Sequence, residues 1–294
     1  MSSAPRRMLI HVLGALDPAT LELLLSQLAE ASPADRQRLR EVLADLAGPP
    51  PLGASDRIEL AELHALDRLM AEIYNTKGQY LAQRAQELEI PSARAAGIMR
   101  VESGGETFSD ITDKPLIRFE AHVFLRTWGE ANLTVFNQHY DFDRRAGHNH
   151  EQHRLRTDPG APWISYHEQR QQGEWAALTV AESLAGREIA YQSISSGAGQ
   201  IIGFNHTKMG YPTAVAMFEA FARSERAQVG SIFEFIARTP GLAAAVRAGD
   251  YEKLVKSYNG AAPGSPRSLA YQTKLITAEQ SYARVTAGRK HVIP

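Results

Sequence analysis

The sequence contains no cysteine. That excludes a disulfide framework, a thiol nucleophile and a cysteine-ligated zinc, and leaves reducing and oxidising compartments equally open. Neither sign of charge is in excess: 32 basic residues face 33 acidic ones, a net charge of −1. Such a chain exerts no long-range pull on nucleic acid or anionic lipid, which argues against a nucleic-acid binder. No apolar run approaches the roughly 20 residues a membrane-spanning helix needs. The start, M-S-S-A-P-R-R-M-L-I-H-V-L-G-A-L-D, is a poor export signal. Its apolar stretch is short, holds His11, and meets Asp17-Pro18 with no small-residue cleavage site. Synthesis in the cytoplasm without a signal peptide is therefore expected. There is no internal repeat, and Pro49–Pro51 is the only biased tract.

What is present is enough apolar material for a core: 44% of 294 residues. Residues 1–47 read as a helical hairpin. Asp17-Pro18 and Ser32-Pro33 each supply a cap and a first-turn proline, followed by leucines at helical spacing. Gly48-Pro49-Pro50-Pro51 ends it, placing a linker near residues 48–55. A further helix is expected from Ser55-Asp56, broken at Thr76-Lys77-Gly78. The expected division is an N-terminal helical region, 1–75, and a domain, 76–294. Strand signals are few, the best being Leu116–Phe119 and the neighbourhood of Tyr191–Ile194. Helices are expected at Thr213–Arg223, Ala227–Arg238, Gly241–Ala248 and Tyr251–Tyr258. The fold class predicted is α+β, mostly α-helical. Between Asn137 and Glu168 the pattern fails, and a polar, irregular insertion is expected.

One stretch is odd in a chemically useful way. Ile90-Pro91 opens a helix whose apolar face is Ala95, Ile98 and Met99, and the spacing puts Glu102 on that face. Gly104 is the natural residue to end it. Burial and the negative end of the helix dipole both favour the protonated carboxyl group. A carboxylic acid held protonated near neutral pH is what glycosidic cleavage requires, because the leaving oxygen must receive a proton. The plainer alternative is a glutamate paired with Arg94 or Arg100 or bonded to a backbone amide. Two later segments bear on the choice. S-I-S-S-G-A-G-Q-I-I-G-F-N, 193–205, combines small residues with the versatile amide of Gln200; K-S-Y-N-G, 256–260, presents Tyr258 and Asn259 at a helix end.

Glu102-Ser103, then S-x-G-x-x-Q-I, then Y-N-G, in that order, resembles the lysozyme-like superfamily that includes goose-type lysozymes and soluble lytic transglycosylases. With I-R-F-E-A-H-V-F at 117–124, and Tyr271 and Lys274 downstream, the chain resembles the N-acetylmuramidase family found in phage endolysins and some bacterial wall-lytic proteins. The resemblance covers about residues 79–285 and leaves out 1–75. It implies a lysozyme-like domain that hydrolyses the β-1,4 bond between N-acetylmuramic acid and N-acetylglucosamine in peptidoglycan glycan strands. Glu102 would be the general acid, and Ser196, Gln200, Tyr258 and Asn259 would line the sugar cleft. Glu120 falls in the F-E-x-H segment and is the candidate second carboxylate, against a structural role beside Arg118; Asp110 and Asp113 are its rivals. No cofactor or metal is implied.

Two alternatives stand beside hydrolysis: a lytic transglycosylase using the same acid, and a silent wall-binding or injection-machine component. Without an export signal the enzyme would reach the wall after lysis or injection, as an endolysin or an effector. A delivery apparatus docking on residues 1–75 and an immunity protein plugging the cleft are the partners that route would call for; the equal alternative for 1–75 is a helical extension that only packs on the catalytic domain. Five of the ten histidines, His139, His148, His150, His153 and His167, fall in the aperiodic segment. A solvated loop is the expectation there, ahead of a zinc or nickel site.

Overall fold

A computed structural model describes Leu52, residues 54–142 and residues 153–293. The expected hairpin, 1–47, the linker and His148 and His150 lie outside the described residues. The chain forms two compact units. One takes the described residues up to Val101 together with Arg223 onward; the other is Glu102–Ala222.

The first unit is helical. Helix α1, Ala65–Leu88, packs against α8, Glu225–Arg238, and α11, Pro266–Val285. It starts later than the sequence suggests, because residues 57–64 take another course. The Asn75 carboxamide accepts from Ile58 N–H at 2.7 Å and donates to Ile58 C=O at 2.8 Å, holding that segment as a partner strand would. The break expected at Thr76-Lys77-Gly78 does not occur, and α1 runs through position 76. Thr76 returns its hydroxyl to Glu72 C=O, Lys77 pairs with Glu225 at 3.3 Å, and Gly78 leaves room for the Tyr74 ring. Tertiary contacts override the weak helix propensity of the three. Helix α2, Ser92–Ser103, is buried from Ser92 to Met99. Its Arg94 forks onto Glu279 of α11 at 2.6 and 3.1 Å. The later helices α9, Leu242–Ala248, and α10, Tyr251–Tyr258, lie close to the expected spans.

The second unit is built around aromatic packing. Strand β1, Ile117–Phe119, pairs antiparallel with β5, Ile194–Ser196, which pairs with β6, Ile201–Ile202. Phe119 stacks on Tyr140 at 5.4 Å, and Phe124 packs on Phe136 and Tyr140. The segment expected to be irregular contains a second small sheet: β2, Tyr140–Asp141, β3, Arg154–Leu155, and β4, Ile164–Ser165. Two-residue strands are too short to show an alternating pattern, so periodicity misses them. His153, expected in a solvated loop, is 3% exposed. Helix α5, Arg170–Ala185, packs on β1, and α6, Arg187–Gln192, packs against α5.

Helix α7, Ala214–Arg223, is capped from outside itself. Glu188 of α6 accepts from the N–H groups of Ala214 at 2.9 Å and Val215 at 3.2 Å. Burial raises the Glu188 pKa, but these bonds and one from Gln192 outweigh it and hold the group below its ordinary value of 4.5. A lowered folded pKa means the unfolded chain binds the proton more tightly. The contribution is therefore full above pH 4.5 and lost as pH falls through the folded value. Urea midpoints measured from pH 7 to pH 3 are expected to fall less steeply in Glu188→Gln than in wild type; an unchanged acid slope would exclude this role.

Candidate active site

Glu102 lies in the last turn of α2, where the helix changes from buried to half-buried. The chain then leaves through Gly104 and Gly105 at φ 73° and 89°, a left-handed exit that side chains resist. Arg94, one of the partners weighed for Glu102, is committed to Glu279. A loop closes from 106 to 116: Ser109 N–H donates to Lys114 C=O, and the Ser109 hydroxyl accepts from Ile111 and Thr112 N–H. Asp110 and Asp113, the rival carboxylates, are exposed on it.

Glu120 follows β1 directly. Its N–H donates to Ser193 C=O at 2.8 Å, and its C=O accepts from Val123 and Phe124 to begin the short helix α3, Ala121–Phe124. Its side chain is 16% exposed, with Arg118 at 3.7 Å and His122 at 3.5 Å. Tyr166 is buried nearby. Burial, then the negative charges of Glu174 and Glu120, push its hydroxyl well above the ordinary tyrosine range. The phenol is thus a neutral group within the field of two carboxylates.

Ser196 is 1% exposed in β5, opposite Ile117 and Ile201. Gln200 adopts φ 46°, and its amide donates to Gly197 C=O at 3.0 Å and Leu116 C=O at 3.4 Å. Both hold the β5–β6 turn in shape. The glycines of this motif have an internal reason too. A Cβ on Gly203 would sit 1.9 Å from Tyr191 C=O. Gly203→Ala is accordingly expected to lower the thermal midpoint by several degrees, on the order of 2 kcal/mol or more of strain; a wild-type melting curve would show that the backbone gives way freely.

Glu102, Glu120, Ser196 and Gln200 thus fall in one unit. Tyr258 and Asn259 belong to the other, where Tyr258 meets Phe235 edge-on at 5.1 Å and Asn259 ends α10. The buried Asn259 Oδ1 has no hydrogen-bond partner among the described residues. Sequence reasoning missed Gln171 and Glu174, and took His167 for part of a solvated loop, whereas it bonds Glu174. The available signal was two polar residues three apart on a helix face otherwise made of Gly173, Ala177 and Leu178. No group of three metal-ligating side chains is present among the described residues.

The sequence profile of the N-acetylmuramidases matches residues 91–283, about two thirds of the chain. The protein belongs to the N-acetylmuramidase family. This muramidase also resembles the crystal structure of the Burkholderia AP3 phage endolysin: 25% identity, a TM-score of 0.51, and coverage of 69% of this chain and 70% of that one. No curated protein sequence matches the chain. The mostly helical α+β architecture is lysozyme-like, and the muramidase is a peptidoglycan-directed glycoside hydrolase of the lysozyme type. No single helix among the described residues is long and apolar enough to cross a membrane.

Proposed function

We propose that this muramidase hydrolyses the β-1,4 bond between N-acetylmuramic acid and N-acetylglucosamine with Glu102 as general acid. The observation that carries the reading is the position of Glu102 within the matched region, half-buried at a helix end before two left-handed glycines. The negative end of the helix dipole favours the protonated carboxyl group there. The carboxyl proton goes to the glycosidic oxygen as the bond to the anomeric carbon breaks. Water attacks that carbon and gives up its proton to a second carboxylate, which returns the site to its starting state through solvent. Glu120 is our candidate for that role: it is mostly shielded from water, whereas Asp110 and Asp113 are exposed. Arg118 and His122 beside it suit a carboxylate that acts while ionised. Ser196 and Gln200 would shape the turn beside the glycan, and Tyr258 and Asn259 are kept as proposed sugar-binding residues from the family motif.

The enzyme would be made in the cytoplasm and reach the wall after lysis or injection, as an endolysin or an effector. Of residues 1–75, those ahead of α1 would dock on the delivery apparatus, since 65–75 pack inside the first unit, and an immunity protein would guard a producer's own wall.

Digestion of purified peptidoglycan, with products weighed by mass spectrometry, tests the reaction. Reducing N-acetylmuramic acid ends are expected. Products lighter by one water, bearing an anhydro ring, would mean transglycosylation, and no products would favour a silent wall-binding component.

A further inference from the structure

Strand β1 is the edge of its sheet, with β5 on one side only. Edge N–H and C=O groups need partners when they are covered by the rest of the protein. Helix α5 supplies them with side chains. Gln171 accepts from Ile117 N–H at 2.9 Å and donates to Ile117 C=O at 2.8 Å, as a neighbouring strand would. One turn on, Glu174 Oε2 accepts from Phe119 N–H at 2.7 Å. Gln171 shows that a neutral amide suffices to hold this edge. A carboxylate with only 8% of its side chain exposed is a costly choice unless its charge has a second use.

The second oxygen shows that use. Glu174 Oε1 accepts from His167 Nδ1 at 2.6 Å, and His167 Nε2 meets His153 Nδ1 at 2.9 Å. With His167 neutral, its Nδ1–H points to the carboxylate and its Nε2 accepts from His153 Nδ1–H, so the pair has one consistent direction. The approach depends on Gly173, where a Cβ would lie 2.0 Å from Tyr166 C=O. The helix therefore rests on the Tyr166 backbone and brings Glu174 against His167. Phe119 N–H is held by Glu174 and the next N–H, that of Glu120, by Ser193 C=O.

We infer that Glu174, oriented by the His167–His153 pair, is a positioning residue that sets where the Glu120 carboxylate stands for the muramidase reaction. The inference rests on the proposal that Glu120 is the second carboxylate. Small displacements of such a group cost rate steeply, up to about 10²-fold for 1 Å.

The test is a double-mutant cycle on peptidoglycan fragments with Glu174→Gln, Glu120→Gln and the two combined, alongside melting curves. The amide of Glu174→Gln can still accept from Phe119 N–H, so the fold is expected to hold. kcat should fall about tenfold with KM unchanged, and the double variant should be no slower than Glu120→Gln alone. Independent losses that multiply, or a raised KM and lower melting point with kcat intact, would make Glu174 a structural residue and overturn the inference. Full kcat in Glu120→Gln alone would defeat the second-carboxylate proposal, and the positioning role with it; that failure is read from the single variant. Should Glu174→Gln not fold, His167→Leu removes a donor from Oε1 but leaves the Phe119 bond, and the same cycle and criteria apply.

Discussion

Glu102→Gln is expected to lower kcat on peptidoglycan by about 10²- to 10⁴-fold, the usual worth of a positioned general acid. The substitution keeps the shape of the side chain and removes only the transferable proton. Because Glu102 is half-buried at the end of its helix, the melting temperature should stay within about 2 °C of wild type. KM should change little, since the proton matters only as the leaving oxygen develops charge. Retention of more than a tenth of wild-type kcat would remove Glu102 from the acid's place and return it to a structural role.

The second large effect is on stability. Arg94→Ala is expected to cost about 3–5 kcal/mol, a fall in thermal midpoint on the order of 10 °C for a chain of this size. The guanidinium is almost fully buried and forks onto Glu279, bonds Val246 C=O, and reaches the Tyr251 hydroxyl at 3.3 Å. Tyr251 in turn donates to Glu279 Oε2 at 2.8 Å. Removing the cation leaves a carboxylate enclosed with one hydroxyl donor from this network. Most of the loss comes from that stranded charge, so Arg94→Met combined with Glu279→Leu should be much less damaging than Arg94→Ala alone. Calorimetry on the single and double variants decides it. A midpoint shift under about 2 °C in Arg94→Ala would show that water replaces the partner readily. Arg94 sits two turns before Glu102 on α2, so the same network anchors the helix that carries the proposed acid.

The elements legible in the sequence are those governed by local rules. Tyr251–Tyr258 and Ala227–Arg238 are expected from the sequence; the structure starts the second at Glu225 and caps the two at Asp250 and Ser224, each of which accepts a backbone N–H three residues on. Gly104 as a helix terminator follows from the absence of a side chain at a left-handed position. The motifs around Glu102, Glu120, Gln200 and Tyr258 carried the family and the reaction class, because their order along the chain is preserved however the chain folds. What those motifs left open was the work each side chain does. Gln200 spends its amide on two backbone carbonyls, which no spacing rule foretells.

Only the tertiary structure decided the partners of the polar groups. Arg94 is a candidate partner for Glu102 on its own helix, yet it pairs with Glu279, 185 residues away. The run Thr76-Lys77-Gly78 reads as a helix end, yet Glu225 and the Tyr74 ring make it helix interior. His153 and His167 sit in a stretch with no helical or strand period, so nothing local distinguishes a solvated histidine from the His153–His167 pair that leads to Glu174. The physical reason is common to all three. Helix period, caps and glycine turns are settled between neighbours within a few residues. The hydrogen bonds of buried charges are settled by whatever the folded chain places beside them, and a single sequence does not state that distance.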